Sequence, residues 1–208
     1  MADPKSIVAR GYDLVAETYL ERFGRSQVRD RWTSELITRL PERARVLDLG
    51  CGAGVPVALQ LTELGFEVLG IDISIRQIEM ARINAPTAEF MQADMIAVAF
   101  APASFDAVAA FYSIAHVPRV EHARLLRRIA TWLKPAGVLL ASLGSGDCAD
   151  WQGDWLGAEM FFSHYDASAY ERLICDAGLK IECAELIDQD HDDARFLWVI
   201  ARSMSQSP

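Results

Sequence analysis

Val46-Leu-Asp-Leu-Gly-Cys-Gly-Ala-Gly54 is the stretch whose reading decides the fold. Val46, Leu47 and Leu49 make a short apolar run that suits a central strand buried on both faces. Gly50, Gly52 and Gly54 follow at alternate positions. Without a Cβ, each lets the backbone bend sharply and come within contact distance of a ligand. Val55 to Leu64 read as a helix, whose first turn offers free N–H groups to that ligand. Asp48 sets a carboxylate at the end of the strand.

Glycine spacing separates two nucleotide classes. A dinucleotide turn wants Gly-x-Gly-x-x-Gly. Counted from Gly50 the third glycine falls on Val55, and counted from Gly52 it falls on Val57. Both registers fail, which disfavours a nicotinamide oxidoreductase. What remains is Gly-x-Gly-x-Gly behind an acid. Here the chain resembles the class I S-adenosylmethionine-dependent methyltransferases, whose first motif is Asp/Glu-x-Gly-x-Gly-x-Gly. The resemblance implies S-adenosylmethionine as cofactor, with S-adenosylhomocysteine as its product. It places Asp48, Gly50, Cys51, Gly52 and Gly54 around the methionine end.

The 208 residues suffice for one α/β domain with a large buried core. A net charge of −9 gives no electrostatic footprint for gripping a nucleic-acid backbone. No partner of that kind is expected. Cys51, Cys148, Cys175 and Cys183 form no C-x-x-C pair and no metal-like spacing with the histidines. They read as reduced thiols of a cytoplasmic protein. Met1–Ser6 is polar and has no apolar leader core, and no run of about 18 apolar residues is present to span a membrane. Monomer and homodimer both stay open.

No repeat or linker interrupts the chain. A helix over Pro4 to Phe23 and a second reaching about Leu40 read as an N-terminal helical cap, residues 1–41. The core, residues 42–203, alternates strand and helix. Strands read at Arg45–Leu49, Glu67–Asp72, Ala88–Gln92, Phe105–Phe111 and Gly137–Leu143. Ser74 is an N-cap for the helix carrying Ile75, Ile78 and Ala81. Leu126, Ile129 and Leu133 share one face of the helix that Pro135-Ala-Gly137 ends. Such alternation implies a parallel, doubly wound sheet. Asp166 can cap a helix bearing Tyr170, Leu173, Ile174 and Ala177, which stops at Gly178. Strands at Leu179–Ile187 and Arg195–Arg202 then follow without a helix between them, which suggests an antiparallel edge. The family has that layout: a seven-stranded, mostly parallel sheet in order 3-2-1-4-5-7-6, the last strand antiparallel. The resemblance covers about Tyr12 to Ala201.

In an open α/β sheet, ligands sit beyond the carboxyl ends of the strands. Asp72 ends the second strand 24 residues after Asp48, near the ~20-residue spacing at which an acid meets ribose hydroxyls. Asp94 follows the third strand, where it could accept from an adenine amino group between Ile73 and Met95. Phe111 ends the fourth strand, which in the family lies near the transferred methyl. Capping a helix is the plainer role for Asp72 and Asp94. Tyr12 and Tyr19, seven apart, share a helical face. They either pack the core or, as the resemblance implies for Tyr-Asp-x-x-Ala-x-x-Tyr, face the cofactor. In that case Tyr19 reaches its carboxylate.

Methyl transfer is mainly an alignment problem. A base is needed only when the nucleophile holds a proton tightly. His164, after the fifth strand, is one candidate base or substrate ligand, and His116, after the fourth, is another whose plainer role is structural. His122 reads as a surface residue and His191 as part of a solvated acidic turn. Gly144–Tyr165 reads as the longest irregular segment and as a substrate lid over residues 144–165. Its Trp151, Trp155, Phe161, Phe162 and Tyr165, with Tyr12, either wall a pocket for a planar, apolar small molecule or pack the loop down. No acidic triad points to a bound metal. The expected activity is methylation of a small-molecule metabolite or natural product, at oxygen first and nitrogen next. The alternative is a cofactor-binding regulatory or partner protein without transferase activity.

Overall fold

Central strands of this chain are buried along most of their length, and the rest of the architecture follows from covering both of their faces. The computed structural model describes residues 3–190 and 193–204, so the turn reading at His191 lies outside the described residues. Helices α1 (Pro4–Phe23) and α2 (Gln27–Ile37) come first. Then β1 (Arg45–Leu49), α3 (Val57–Glu63), β2 (Glu67–Asp72), α4 (Ile75–Asn84), β3 (Glu89–Gln92) and β4 (Phe105–Ala110) alternate. After α5 (His122–Trp132) and β5 (Leu133–Gly144) come β6 (Cys148–Trp155), β7 (Ala158–His164), α6 (Ala167–Asp176), β8 (Leu179–Asp188) and β9 (Arg195–Ser203).

Seven strands form one sheet in the order β3-β2-β1-β4-β5-β9-β8. All neighbours pair in parallel except β9, which runs antiparallel to both β5 and β8. This is the expected order 3-2-1-4-5-7-6, with one extra hairpin inserted before its sixth strand. Alternate residues feed two cores. Leu47, Leu49, Val108 and Leu139 meet α5 and α6 through Leu126, Ile129 and Ile174. Val46, Ala107, Val138 and Leu140 meet α2, α3 and α4 through Trp32, Leu61 and Ile78. Caps follow the sequence: the side chains of Asp3, Ser26, Ser74 and Asp166 accept from the first turns of α1, α2, α4 and α6.

Three elements depart from the sequence reading. Gly144–Tyr165 is not irregular: β6 and β7 pair antiparallel from Cys148↔His164 to Trp155↔Ala158. Their two-residue turn, Leu156-Gly157, has φ of 56° and 85°, which is the type I′ geometry of tight hairpins. Leucine at its first position conceals the usual Asn-Gly signal. Secondly, β5 begins at Leu133, so Leu133 is a strand residue and the helix ends at Trp132. Ala136, at φ 63°, belongs to an irregularity within β5 that shifts its register against β4. Thirdly, α3 starts at Val57 rather than Val55, after the glycine turn has closed on itself.

The hairpin lies against α1. Ile7 and Val8 pack on Met160 and Phe161 in a third apolar cluster. Gly11 makes that approach possible, because a methyl group there would overlap the Glu159 carbonyl oxygen and the Met160 side chain. Together α1 and the hairpin stand over the carboxyl ends of the central strands.

Candidate functional site

The turn after β1 is held by the chain's own hydrogen bonds. Gly50 and Cys51 N–H groups donate to the Ile71 carbonyl at 2.8 and 3.0 Å, and Gly54 N–H donates to Cys51 at 3.0 Å. Gly52 N–H donates to Asp72 Oδ2 at 2.9 Å. These N–H groups are therefore spent internally. Gly50 (φ 75°) and Gly52 (φ 52°) both need the left-handed region. At Gly50 a side chain would also overlap Ser113. Gly54 (φ 76°) needs that region too, and a Cβ there would meet Ala81 and Phe90, so it packs the turn onto α4 and lies outside the groove.

A groove runs along the strand ends. Lys5, Tyr12 and Tyr19 of α1 line it on one side, opposite Gly50, Gly52, Asp72, Ile73, Asp94, Met95 and Phe111. A recess off its floor is bounded by Asp48, Gly50, Cys51, Gly52 and Arg29. The structure thus brings together the sequence-derived cofactor residues, Gly54 excepted. Asp72 is not the cap of α4, because Ser74 caps that helix and Asp13 of α1 accepts from Arg76 N–H at 3.1 Å. Its two oxygens take Gly52 and Ser74 N–H groups, and a carboxylate retains further lone pairs for ribose hydroxyls. Asp94 is more committed: Oδ1 accepts from Ile96 N–H at 2.8 Å and Oδ2 pairs with Lys5 Nζ at 2.6 Å.

Burial strains the charges here. Asp48, 3% exposed, is pushed up to about 7, first by desolvation and then by the neighbouring Asp72, with Arg29 opposing. Asp72 is pushed up to about 6 by desolvation, against the N–H groups that hold it. Two acids this hard to ionise are poised for a cationic ligand.

Two residues escaped the sequence reading. Gln77 is buried, yet neither atom of its carboxamide has a hydrogen-bond partner among the described residues, and it lines the groove beside Gly52. Arg29 is buried with its Nε likewise unpartnered, and its guanidinium lies 5.8 Å from the Tyr112 ring. Orphaned polar atoms of this kind point to a polar ligand that completes them. The only sequence signal was a charged residue in the first turn of α2, which surface helices also show.

Beside the groove opens a second cavity of about 360 Å³. Trp151, Trp155 and Phe162 of the hairpin face Tyr112 and Phe196 across it, and His164, Cys148 and Arg29 add polar groups. Tyr12, Tyr19, Tyr112 and His116 line both spaces and form the partition between them. His164 lies on the backbone of Gly144, where any Cβ would overlap its ring. Its Nδ1 contacts the Gly146 carbonyl at 2.5 Å. A carbonyl can only accept, so Nδ1 donates to it, and in the neutral ring Nε2 holds the lone pair.

Other expectations are corrected. Phe161 points away from the cavity into the α1 cluster, as alternation along β7 requires once Phe162 faces inward. Tyr165 packs on the core beside Arg119, His122 and Tyr170. His122 is fully buried rather than at the surface: Nε2–H donates to Val117 O, and Tyr170 OH donates to Nδ1. His116 is engaged at both ring nitrogens. Nδ1–H donates to Phe161 O at 2.9 Å and Nε2 receives Tyr12 OH at 2.8 Å, while burial lowers it to about 4. Among the described residues no group of acids, cysteines and histidines is arranged to hold a metal ion. None of the described helices is long and apolar enough to cross a membrane.

Known proteins carry the same pattern. The family profile of the methyltransferase domain matches residues 20–184. The 27-O-demethylrifamycin SV methyltransferase of Amycolatopsis mediterranei (strain S699) is 30% identical over 210 residues, covering 88% of this chain and 76% of that protein. The chain spans about half the length, or less, of several other curated relatives it matches: 49%, 44% and 42% in three of them. Among solved structures, the 1,6-didemethyltoxoflavin-N1-methyltransferase of Burkholderia thailandensis, with 1,6-didemethyltoxoflavin and S-adenosylhomocysteine bound, superimposes with TM-score 0.75. It is 17% identical, with 99% and 92% of the two chains covered. The [4+2]-cyclase SpnF gives TM-score 0.72 at 20% identity, with 94% of each chain covered. At such identities these two structures establish the fold.

Proposed function

This chain belongs to the class I S-adenosylmethionine-dependent methyltransferases, and from that premise we propose that it methylates a hydroxyl group on a planar, largely apolar small molecule. The observation that carries the reading is the shared wall. The groove and the aromatic cavity meet at Tyr12, Tyr19, Tyr112 and His116, so a molecule in one reaches a molecule in the other. That second, aromatic-walled space beside the groove offers room for an acceptor.

The groove suits the donor by its own chemistry. Asp72 accepts from ribose hydroxyls, Ile73 and Met95 flank the adenine, and Arg29 faces the carboxylate across the recess. Gln77 completes its orphaned carboxamide on the same ligand. Asp48 and Asp72 oppose the positive charge of the bound molecule. The bound donor supplies an activated methyl carbon: the acceptor oxygen forms the new C–O bond as the C–S bond breaks, its electron pair leaving on sulfur. Every other contribution is the protein's. Trp151, Trp155 and Phe162 hold a ring flat and exclude water. His164 Nε2 takes the proton of the hydroxyl, with the ring fixed by Gly144 and Gly146.

Screening planar phenols and enols for labelled methyl incorporation tests the proposal, with His164→Ala as the key variant. The expected result is a fall in turnover of about 10²–10⁴-fold with cofactor affinity kept, and recovery at alkaline pH where the acceptor ionises unaided. Full activity in the variant at neutral pH removes His164 as the base.

A further inference from the structure

We propose that the Tyr12 hydroxyl oxygen is the group by which this protein tells S-adenosylmethionine from S-adenosylhomocysteine, with His116 as its positioning residue. The proposal rests on the donor occupying the groove. Phe161 offers a carbonyl oxygen to His116 Nδ1 at 2.9 Å, and that oxygen can only accept. Nδ1 therefore carries the ring's proton. His116 sits deep enough in the protein that desolvation holds it neutral, so Nε2 has a lone pair and no hydrogen. The 2.8 Å contact between Nε2 and Tyr12 must then use the tyrosine's own proton.

That leaves the Tyr12 oxygen as a pure acceptor. Burial keeps the phenol protonated by raising it well above the usual tyrosine range. Its single hydrogen is committed, and its remaining electron density turns elsewhere. Three neighbouring rings pack around it. Tyr19 stands edge-on at 5.4 Å, His116 at 5.1 Å and Trp155 at 5.9 Å. Tyr12 lies on the partition between groove and cavity, the place a methyl group passes from donor to acceptor.

A methyl group on positive sulfur carries polarised C–H bonds and sits within a cationic field. An acceptor-only oxygen favours both. The thioether product has neither the charge nor the methyl. The oxygen thus favours the loaded cofactor over the spent one, which also helps product leave.

Calorimetric titration of S-adenosylmethionine and S-adenosylhomocysteine into wild type, Tyr12→Phe, His116→Ala and His116→Gln tests this without any acceptor. In Tyr12→Phe the expected result is a loss of roughly three- to five-fold in affinity for S-adenosylmethionine, with S-adenosylhomocysteine little changed. His116→Ala shifts the ratio the same way, because the freed phenol proton can turn toward the sulfonium. Gln places an acceptor within reach of Tyr12, so His116→Gln restores the ratio, which a merely structural role would not predict. Equal weakening of both ligands in Tyr12→Phe overturns the proposal. So does an unchanged ratio, and Tyr12→Phe decides alone if the His116 variants do not fold. Failure of wild type to bind either ligand overturns the donor placement as well, and is distinct from a lost ratio.

Discussion

Asp48 carries two demands that conflict. Its carboxylate is almost fully buried at the end of β1 and lies in the field of Asp72. A buried acid whose folded value is raised to about 7 stabilises the fold below its unfolded value near 3.8, and that contribution is lost as pH rises through 7. At pH 7.5 the penalty is largely in force. Asp48→Asn should therefore raise stability at pH 7.5 by on the order of 2–4 kcal/mol, with the gain vanishing near pH 4. The same variant should bind S-adenosylmethionine more weakly, since the acid that opposes its positive charge is gone. Denaturation against pH, paired with calorimetry, checks both halves, and a variant less stable at pH 7.5 contradicts the account. At this scale the sequence was legible where backbone chemistry is local. Asp48, Gly50, Gly52 and Asp72 declare themselves by position in a strand-turn pattern. Gln77 and Arg29 do not, because what marks them is a buried carboxamide and a buried Nε left unpartnered by the fold, which no local pattern encodes.

The inserted hairpin and α1 act as one element pair. Gly11 seats α1 on β7, and Tyr12, one residue on, reaches His116, which in turn holds Phe161 O. Arg119 N–H donates to Ser163 Oγ at 2.9 Å and ties the hairpin's far strand to the turn before α5. The hairpin is therefore a fixed wall as well as a cover. Gly11→Val should force α1 off β7 at a strain of about 1–3 kcal/mol. The seven-stranded sheet should persist, because its two cores do not include Gly11 or β7. Cofactor affinity should fall by about tenfold or more, measured by calorimetry beside a circular dichroism spectrum that keeps its shape. Unaltered affinity would show that α1 does not form the groove. The hairpin was hidden in the sequence because Leu156 occupies a turn position that asparagine or glycine usually marks. Its aromatic content was legible; which of Phe161 and Phe162 faces the cavity depended on a register that only pairing with β6 sets.

Over the whole molecule, buried titratable groups pull stability in opposite directions. His116 and His122 are lowered to about 4 by desolvation. A base lowered this way contributes stability above its unfolded value near 6.5, lost as pH falls toward 4. Asp48 and Asp72, raised to about 7 and 6, act with the reverse sign over much of that window. Between pH 4 and 6 the two histidines and two acids nearly cancel, so these four groups should leave the unfolding free energy almost flat there. A strong slope within the window counts against this pairing of burials. The parallel, doubly wound architecture was legible in the alternation of strands and helices, whereas the strand order was implied by the resemblance to the family. The cavity was not legible, because it arises where five elements meet. Its relation to the groove is the central claim, and a crystal structure with S-adenosylhomocysteine bound tests it most directly. The account predicts ribose on Asp72, adenine between Ile73 and Met95, and sulfur directed past Tyr12 into the cavity walled by Trp151, Trp155 and Phe162. Sulfur directed away from that cavity, or the ligand bound elsewhere, would contradict it.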